Sequence, residues 1–176
     1  AALLAQAEHD EMASAVLLTQ DGAFAKAVAA EVTRQMEDLS RKDIASRSLA
    51  AFGAAIVTRD LGEAVALANR FAPEHLELMV QDPRQFLPEI RNAGAIFMGM
   101  HTPEALGDYM AGPNHVLPTG GTARFASPLG VYDFIKRTSV LHFSQEALLR
   151  YGKQTARFAE IEGLDGHGKS VRLRLG

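Results

Sequence analysis

Apolar and polar positions follow two rhythms along the first hundred residues. Ala15-Val16-Leu17-Leu18 is a short apolar run between polar residues, which reads as a buried strand. Phe24, Val28, Val32 and Met36 then recur every four residues. That stripe predicts an amphipathic helix capped near Thr19 or Asp21. A shorter helix is expected over Asp43–Ala51, a strand over Ala54–Val57, and a helix over Leu61–Phe71 with Val65, Leu67 and Ala68 as core candidates. Pro73 closes that helix, because the residue before a proline is pushed out of the α region. His75–Val80 alternates loosely and suits a strand, Pro83–Ile90 a helix with proline at its start, and Gly94–Gly99 a glycine-flanked strand. Strands alternating with helices at this spacing imply βαβ units. The predicted fold class is therefore α/β, with a parallel sheet flanked by helices over residues 15–99.

The rhythm stops after Tyr109. Residues 111–130 are rich in proline and glycine and read as a long loop, a kind of segment that in compact domains is usually functional or disordered. Beyond it a helix is expected over Ser144–Glu162, with Leu148, Leu149, Phe158 and Ile161 on or near its apolar face. A short polar tail, Gly163–Gly176, ends the chain. The expected division is an α/β part over residues 1–130 and a small, mainly helical part over 131–176.

Composition narrows the function classes. The 176 residues are 47% hydrophobic and 22% charged, with a net charge of −3 at pH 7. That is enough apolar material for a core, and it gives no reason to expect nucleic acid or an anionic membrane as partner. No apolar run approaches the roughly 18 residues a transmembrane helix needs. There is no cysteine, which removes disulfides and thiolate metal ligands and is compatible with the cytoplasm. The chain opens on Ala1 rather than Met, and helical material starts at once. Both features suit a piece of a longer protein as well as a processed start.

Candidate chemistry centres on four of the six histidines. Gln6 and His9 are three residues apart, so on a helix they would share a face and could meet one divalent ion. The same spacing is common on exposed helices. Glu74 and His75 are adjacent and could form an acid/base pair, although the segment by itself fits a solvated helix end better. Asp108 and His115 are joined through Gly112-Pro113, a constrained turn of the kind that presents side chains rigidly, and here a functional role is the better reading. Glu162 and His167 flank a glycine-rich helix end and on their own suggest only solvated residues.

Taken together and in this order, these segments resemble histidinol dehydrogenase. The resemblance rests on A-Q-A-E-H-D at Ala5–Asp10, A-P-E-H-L-E-L at Ala72–Leu78, G-D-Y-M-A-G-P-N-H-V-L-P-T at Gly107–Thr119 and E-G-L-D-G-H at Glu162–His167, with Phe134 and Lys136 also in pattern. It covers essentially the whole chain. It implies a Rossmann-like sheet and a zinc-dependent homodimer that oxidises L-histidinol to L-histidine through L-histidinal with NAD. Carried over by position, Gln6, His9, Asp108 and His167 match the zinc ligands and Glu74 and His75 the acid/base pair. Gln6, His9, His75, Asp108, His115, Glu162 and His167 match substrate contacts. The helical part would be a dimerisation domain whose Glu162 and His167 serve the neighbouring subunit's site.

The resemblance also implies an upstream half that supplies most NAD contacts, and nothing here resembles it. No G-x-G-x-x-G follows a strand, and Thr119-Gly120-Gly121-Thr122 sits in a loop. The chain is thus expected to carry the zinc and substrate site without the cofactor half. Rival readings are a related dehydrogenase acting on another alcohol, such as a sulfonated diol, and a non-catalytic zinc-binding or dimerisation module.

Overall fold

The computed structural model describes all residues from Ala1 to Gly176. They form two compact units, Ala1–Phe134 and Ile135–Gly176.

In the first unit, α1 (Ala2–Ala7) leads into β1 (Ala15–Thr19), α2 (Gly22–Met36), α3 (Lys42–Phe52) and β2 (Gly53–Val57). The strands β1 and β2 pair in parallel, Ala15 opposite Gly53 and Thr19 opposite Val57, so α2 and α3 form the crossover. The helix α4 (Leu61–Phe71) leads from β2 to β3 (His75–Leu78), where the second crossover starts. That crossover passes through a 3-10 segment, Pro83–Glu89, to β4 (Ala95–Met98), which pairs in parallel with β3. The helix α5 (Glu104–Tyr109) and a long irregular segment with short 3-10 turns at Thr122–Arg124 and Val131–Phe134 complete the unit.

The helix starts follow from the sequence chemistry. The Asp21 carboxylate accepts from the backbone N–H of Ala23 and Phe24, capping α2. Asp60 accepts from the Glu63 N–H, and Glu63 reaches back to the Arg59 N–H, a reciprocal cap for α4. At its far end Ala72 takes the left-handed conformation (φ 54°), so that Pro73 leaves the helix and β3 begins two residues later. Leu4, Ala7, Ala15, Ala25, Ala45, Val65, Ala68, Leu78 and Phe97 form the core.

Several expectations change. The parallel strands form two separate two-stranded sheets rather than one sheet over residues 15–99. Pro83–Glu89 is a 3-10 segment, since Pro88 lies inside it and cannot donate to an α ladder. Every residue of β2 is exposed, and of the α2 stripe Phe24 is exposed while the small Ala25 is buried.

In the second unit, α6 (Gln145–Ile161) starts at Ser144, whose hydroxyl accepts from the Ala147 N–H. The expected polar tail is instead a helix, α7 (Asp165–Leu175). The two helices meet through small residues: Gly152, Ala156 and Ala159 are buried, and Leu175 lies where a Cβ on Gly152 would sit. The large residues Leu149, Phe158 and Ile161 are exposed. No helix of either unit is long and apolar enough to cross a membrane.

Candidate active site

Successive side chains of a strand point to opposite faces, so His75 and Glu77 share one face of β3. Their register partners on β4 are Ala95 and Phe97. The helix α5 is seated on this face. Gly107 lies so close to the Phe97 ring that any Cβ there would overlap it, and the Glu104 N–H donates to the Glu77 carboxylate at 3.2 Å. Thr102 Oγ1 donates to the Met98 carbonyl at 2.8 Å and ties the preceding loop to β4.

This seating aims Glu104 and Asp108, one helical turn apart, at His75. Glu104 Oε1 is 3.9 Å from His75 Nε2, with the two side chains 13% and 12% exposed. Ligand atoms of His75, Glu104 and Asp108 all lie within 4.8 Å of one another. The His75 ring packs against Phe97, centroids 5.8 Å apart, and both its ring nitrogens are buried without a hydrogen-bond partner. An imidazole left unpartnered in a folded protein is free to meet a substrate or an ion. Beyond Asp108 the chain turns at Gly112 (φ 95°) and returns His115, whose Nδ1 is 2.8 Å from Asp108 Oδ1.

The protonation states of the cluster are set unequally. Burial pushes the Glu104 carboxyl above its ordinary range; the His75 charge opposes this, while its hydrogen bond with Asp108 reinforces it. Burial would also raise Asp108, but hydrogen bonds from His115 and Glu104 and the nearby histidine charges outweigh it and hold Asp108 low. The two carboxyls are thus shifted in opposite directions, Glu104 up and Asp108 down. Hydrogen bonding to Asp108 raises His115, with further contributions from the charges of Glu74 and Glu104.

The residues singled out in the sequence are placed as follows. Asp108, His75 and His115 converge, and Glu74, half-buried just before β3, is close enough for its charge to act on His115. Gln6 is half-buried on α1. His9 lies in the turn after α1, exposed, so the two do not share a helix face; its charge nevertheless reaches Glu104. His9 is not part of the close His75–Glu104–Asp108 group. Glu162 is the exposed C-cap of α6, and His167 is exposed on α7, both in the second unit. Glu104 and Glu77 were missed by sequence reasoning. The available signal was Pro103 followed by acids at 104 and 108, a one-turn spacing visible only once a helix is assumed there.

The mixed imidazole and carboxylate donors suit a borderline divalent ion such as zinc, and the orphaned His75 nitrogens fit a site made to receive a ligand. A dinucleotide finds no such fit at Gly120-Gly121. These residues have positive φ but precede only a 3-10 turn, and the Arg124 guanidinium fills the space beside Gly121 while donating to the Gly121 and Arg70 carbonyls.

Residues 1–175 match the sequence profile of histidinol dehydrogenase. Histidinol dehydrogenase of Geobacter metallireducens is 60% identical over 173 residues, covering 98% of this chain and 40% of the relative. That of Syntrophotalea carbinolica is also 60% identical, with the same coverage. The crystal structure of histidinol dehydrogenase from Elizabethkingia anophelis superposes with a TM-score of 0.90 at 34% identity, over 99% of this chain and 40% of that one. The chain thus spans about 40% of the length of the curated relatives it matches.

Proposed function

Since the chain belongs to the histidinol dehydrogenase family, we propose that it forms the zinc- and substrate-binding portion of an enzyme oxidising L-histidinol, through L-histidinal, to L-histidine. The observation that carries this reading is the buried, unpartnered His75 imidazole facing Glu104 and Asp108. NAD is the hydride acceptor in this reading, and no residue here is assigned to hold it. The enzyme is taken to be a cytoplasmic homodimer.

Gln6, His9, Asp108 and His167 would hold the zinc, with His167 supplied by a neighbouring subunit. When bound, zinc anchors the imidazole and amine of the substrate and so orients the carbinol. His75 accepts the carbinol hydroxyl proton at its free ring nitrogen; the adjacent Phe97 ring and low exposure keep bulk water from that nitrogen. Glu74 then takes a proton from the water that adds to the aldehyde. Glu162, supplied like His167 by a neighbouring subunit, is a fitting carboxylate for the substrate's cationic amine, and His115, held by Asp108, would be a further substrate contact.

The test is turnover in the presence of zinc and NAD. The holoenzyme is expected to reduce NAD with histidinol. The 176-residue chain alone is expected not to, because positioning the hydride acceptor can account for roughly 7–11 kcal/mol of the barrier. In the holoenzyme, His75→Ala should slow oxidation of the alcohol, while Glu74→Ala should mainly slow oxidation of added histidinal. Zinc binding with no turnover by the holoenzyme would favour a non-catalytic zinc module. Turnover of a sulfonated diol in preference to histidinol would move the substrate.

A further inference from the structure

We propose that Glu77 is a positioning residue for this site: its carboxylate caps α5 and thereby fixes Glu104 and Asp108 opposite His75. The inference rests on the functional reading above for its catalytic consequence, but not for its geometry.

Three observations carry it. First, β3 uses one face for two purposes. His75 and Glu77 are two residues apart, so the strand that presents the base also presents the group that anchors the opposing helix. Second, α5 is only six residues long, too short to be stable without outside support. Its N-cap residue is Pro103, which offers no side-chain acceptor. The Glu104 N–H is one of the donors a helix start leaves open, and Glu77 Oε1 accepts it at 3.2 Å from another strand. Third, the remaining supports restrain α5 without fixing its start. Gly107 against Phe97 sets how closely the middle of α5 approaches the sheet, and Thr102 on Met98 sets where the loop leaves β4.

Removing the acceptor therefore frees the turn that carries Glu104. Asp108, one turn further on, moves with it. Both carboxylates lie within 4.8 Å of a His75 ring nitrogen, so a displacement of about 1 Å alters every distance in the cluster. Groups that orient metal ligands from behind typically change metal affinity or activity by about 10–100-fold when removed.

The experiment compares two near-isosteric substitutions in the zinc holoenzyme. Glu77→Met keeps the bulk and removes the acceptor. Glu77→Gln keeps an oxygen that can accept the same N–H without the charge. Three readouts are taken: exchange of the Glu104 amide proton, zinc affinity by competition with a chromogenic chelator, and kcat and KM with histidinol. Glu77→Met is expected to speed Glu104 amide exchange at least tenfold, weaken zinc binding by about 10–100-fold and lower kcat, with the cooperative melting of the protein retained. Glu77→Gln is expected to restore all three to within about threefold. Amide exchange and zinc affinity unchanged in Glu77→Met would overturn the proposal. So would a Glu77→Gln variant as impaired as Glu77→Met, since the charge rather than the cap would then matter. A wild-type holoenzyme that fails to oxidise histidinol would sink the functional reading while leaving the amide-exchange comparison valid.

Discussion

Replacing Gly94 by alanine places a methyl carbon 2.6 Å from the Glu74 carbonyl oxygen, 3.2 Å from Pro118 Cδ and 3.3 Å from the Glu74 carbonyl carbon. The nearest atom is backbone and cannot swing aside. The two strands must part by about 0.4 Å merely to bring that contact to 3.0 Å, the floor for real Cβ contacts. Two hydrogen bonds join the strands at this point, Gly94 N–H to the Pro73 carbonyl at 2.9 Å and Ala95 N–H to the Glu74 carbonyl at 2.8 Å. Weakening both loses roughly 1 kcal/mol each. Overpacking adds about 1–3 kcal/mol, so the expected loss is about 3–5 kcal/mol. Urea unfolding followed by circular dichroism should show a midpoint lower by about 1.5–2.5 M for a slope of about 2 kcal/mol/M. Because Glu74 and His75 lie at the start of β3, at the same spot, turnover of the holoenzyme should fall as well. Gly99→Ala is the control. Its φ of 84° strains a side chain, but no atom lies within 4 Å, so its cost is confined to the backbone term of about 1–2 kcal/mol. A Gly94→Ala midpoint within about 0.3 M of wild type, less than about 1 kcal/mol at any slope in the usual range, or one higher than that of Gly99→Ala, would refute the steric argument.

Ser48 is fully buried and its Oγ donates to the Ala13 carbonyl at 2.8 Å, so Ser48→Ala should cost about 1–3 kcal/mol in the same unfolding assay. The His115–Asp108 pair should make stability depend on pH in a defined direction. His115 is raised, so its contribution is complete below its unfolded value of about 6.5 and is lost as pH rises through the higher folded value. Asp108 is lowered, so its contribution is complete above about 3.9 and is lost as pH falls through the folded value. The metal-free difference between wild type and His115→Ala should therefore peak between about pH 4 and 6.5. It should stay within about 1 kcal/mol, since His115 is 62% exposed, and shrink toward pH 9 in melting curves.

What the sequence revealed and concealed has a physical basis. The strands β1, β2 and β4 stand out because short β-branched and aliphatic runs between polar residues have few other uses. The helices α2 and α4 stand out because Asp21 and Asp60 cap them at the point where the apolar period begins. The helix α5 was invisible: six residues hold fewer than two turns, and its start is fixed by a carboxylate from β3 rather than by its own sequence. Missing α5 concealed Glu104, since acids at 104 and 108 become neighbours only on a helix. The helix α7 was read as tail because glycine, lysine and arginine dominate it. Its contact with α6 sets Leu175 against Gly152 rather than using an apolar stripe. In α6 the large apolar residues drew attention while the packing fell to Gly152, Ala156 and Ala159. The unpartnered state of the His75 nitrogens is a property of its surroundings, which no local pattern encodes.

The two units also differ in how far apart along the chain their partners lie, and this bears on the order in which they form. The α6–α7 contact joins helices separated by a three-residue turn and can close on the timescale of local helix pairing. The β1–β2 ladder instead matches Ala15 with Gly53 across two intervening helices, so a long loop must close before the first rung contributes. Until it closes, Ile56 and Val57 belong to a strand without a partner. The slow closure of this loop thus coincides with the interval in which β2 can pair with a strand from another molecule, which makes that interval the one where folding and aggregation compete.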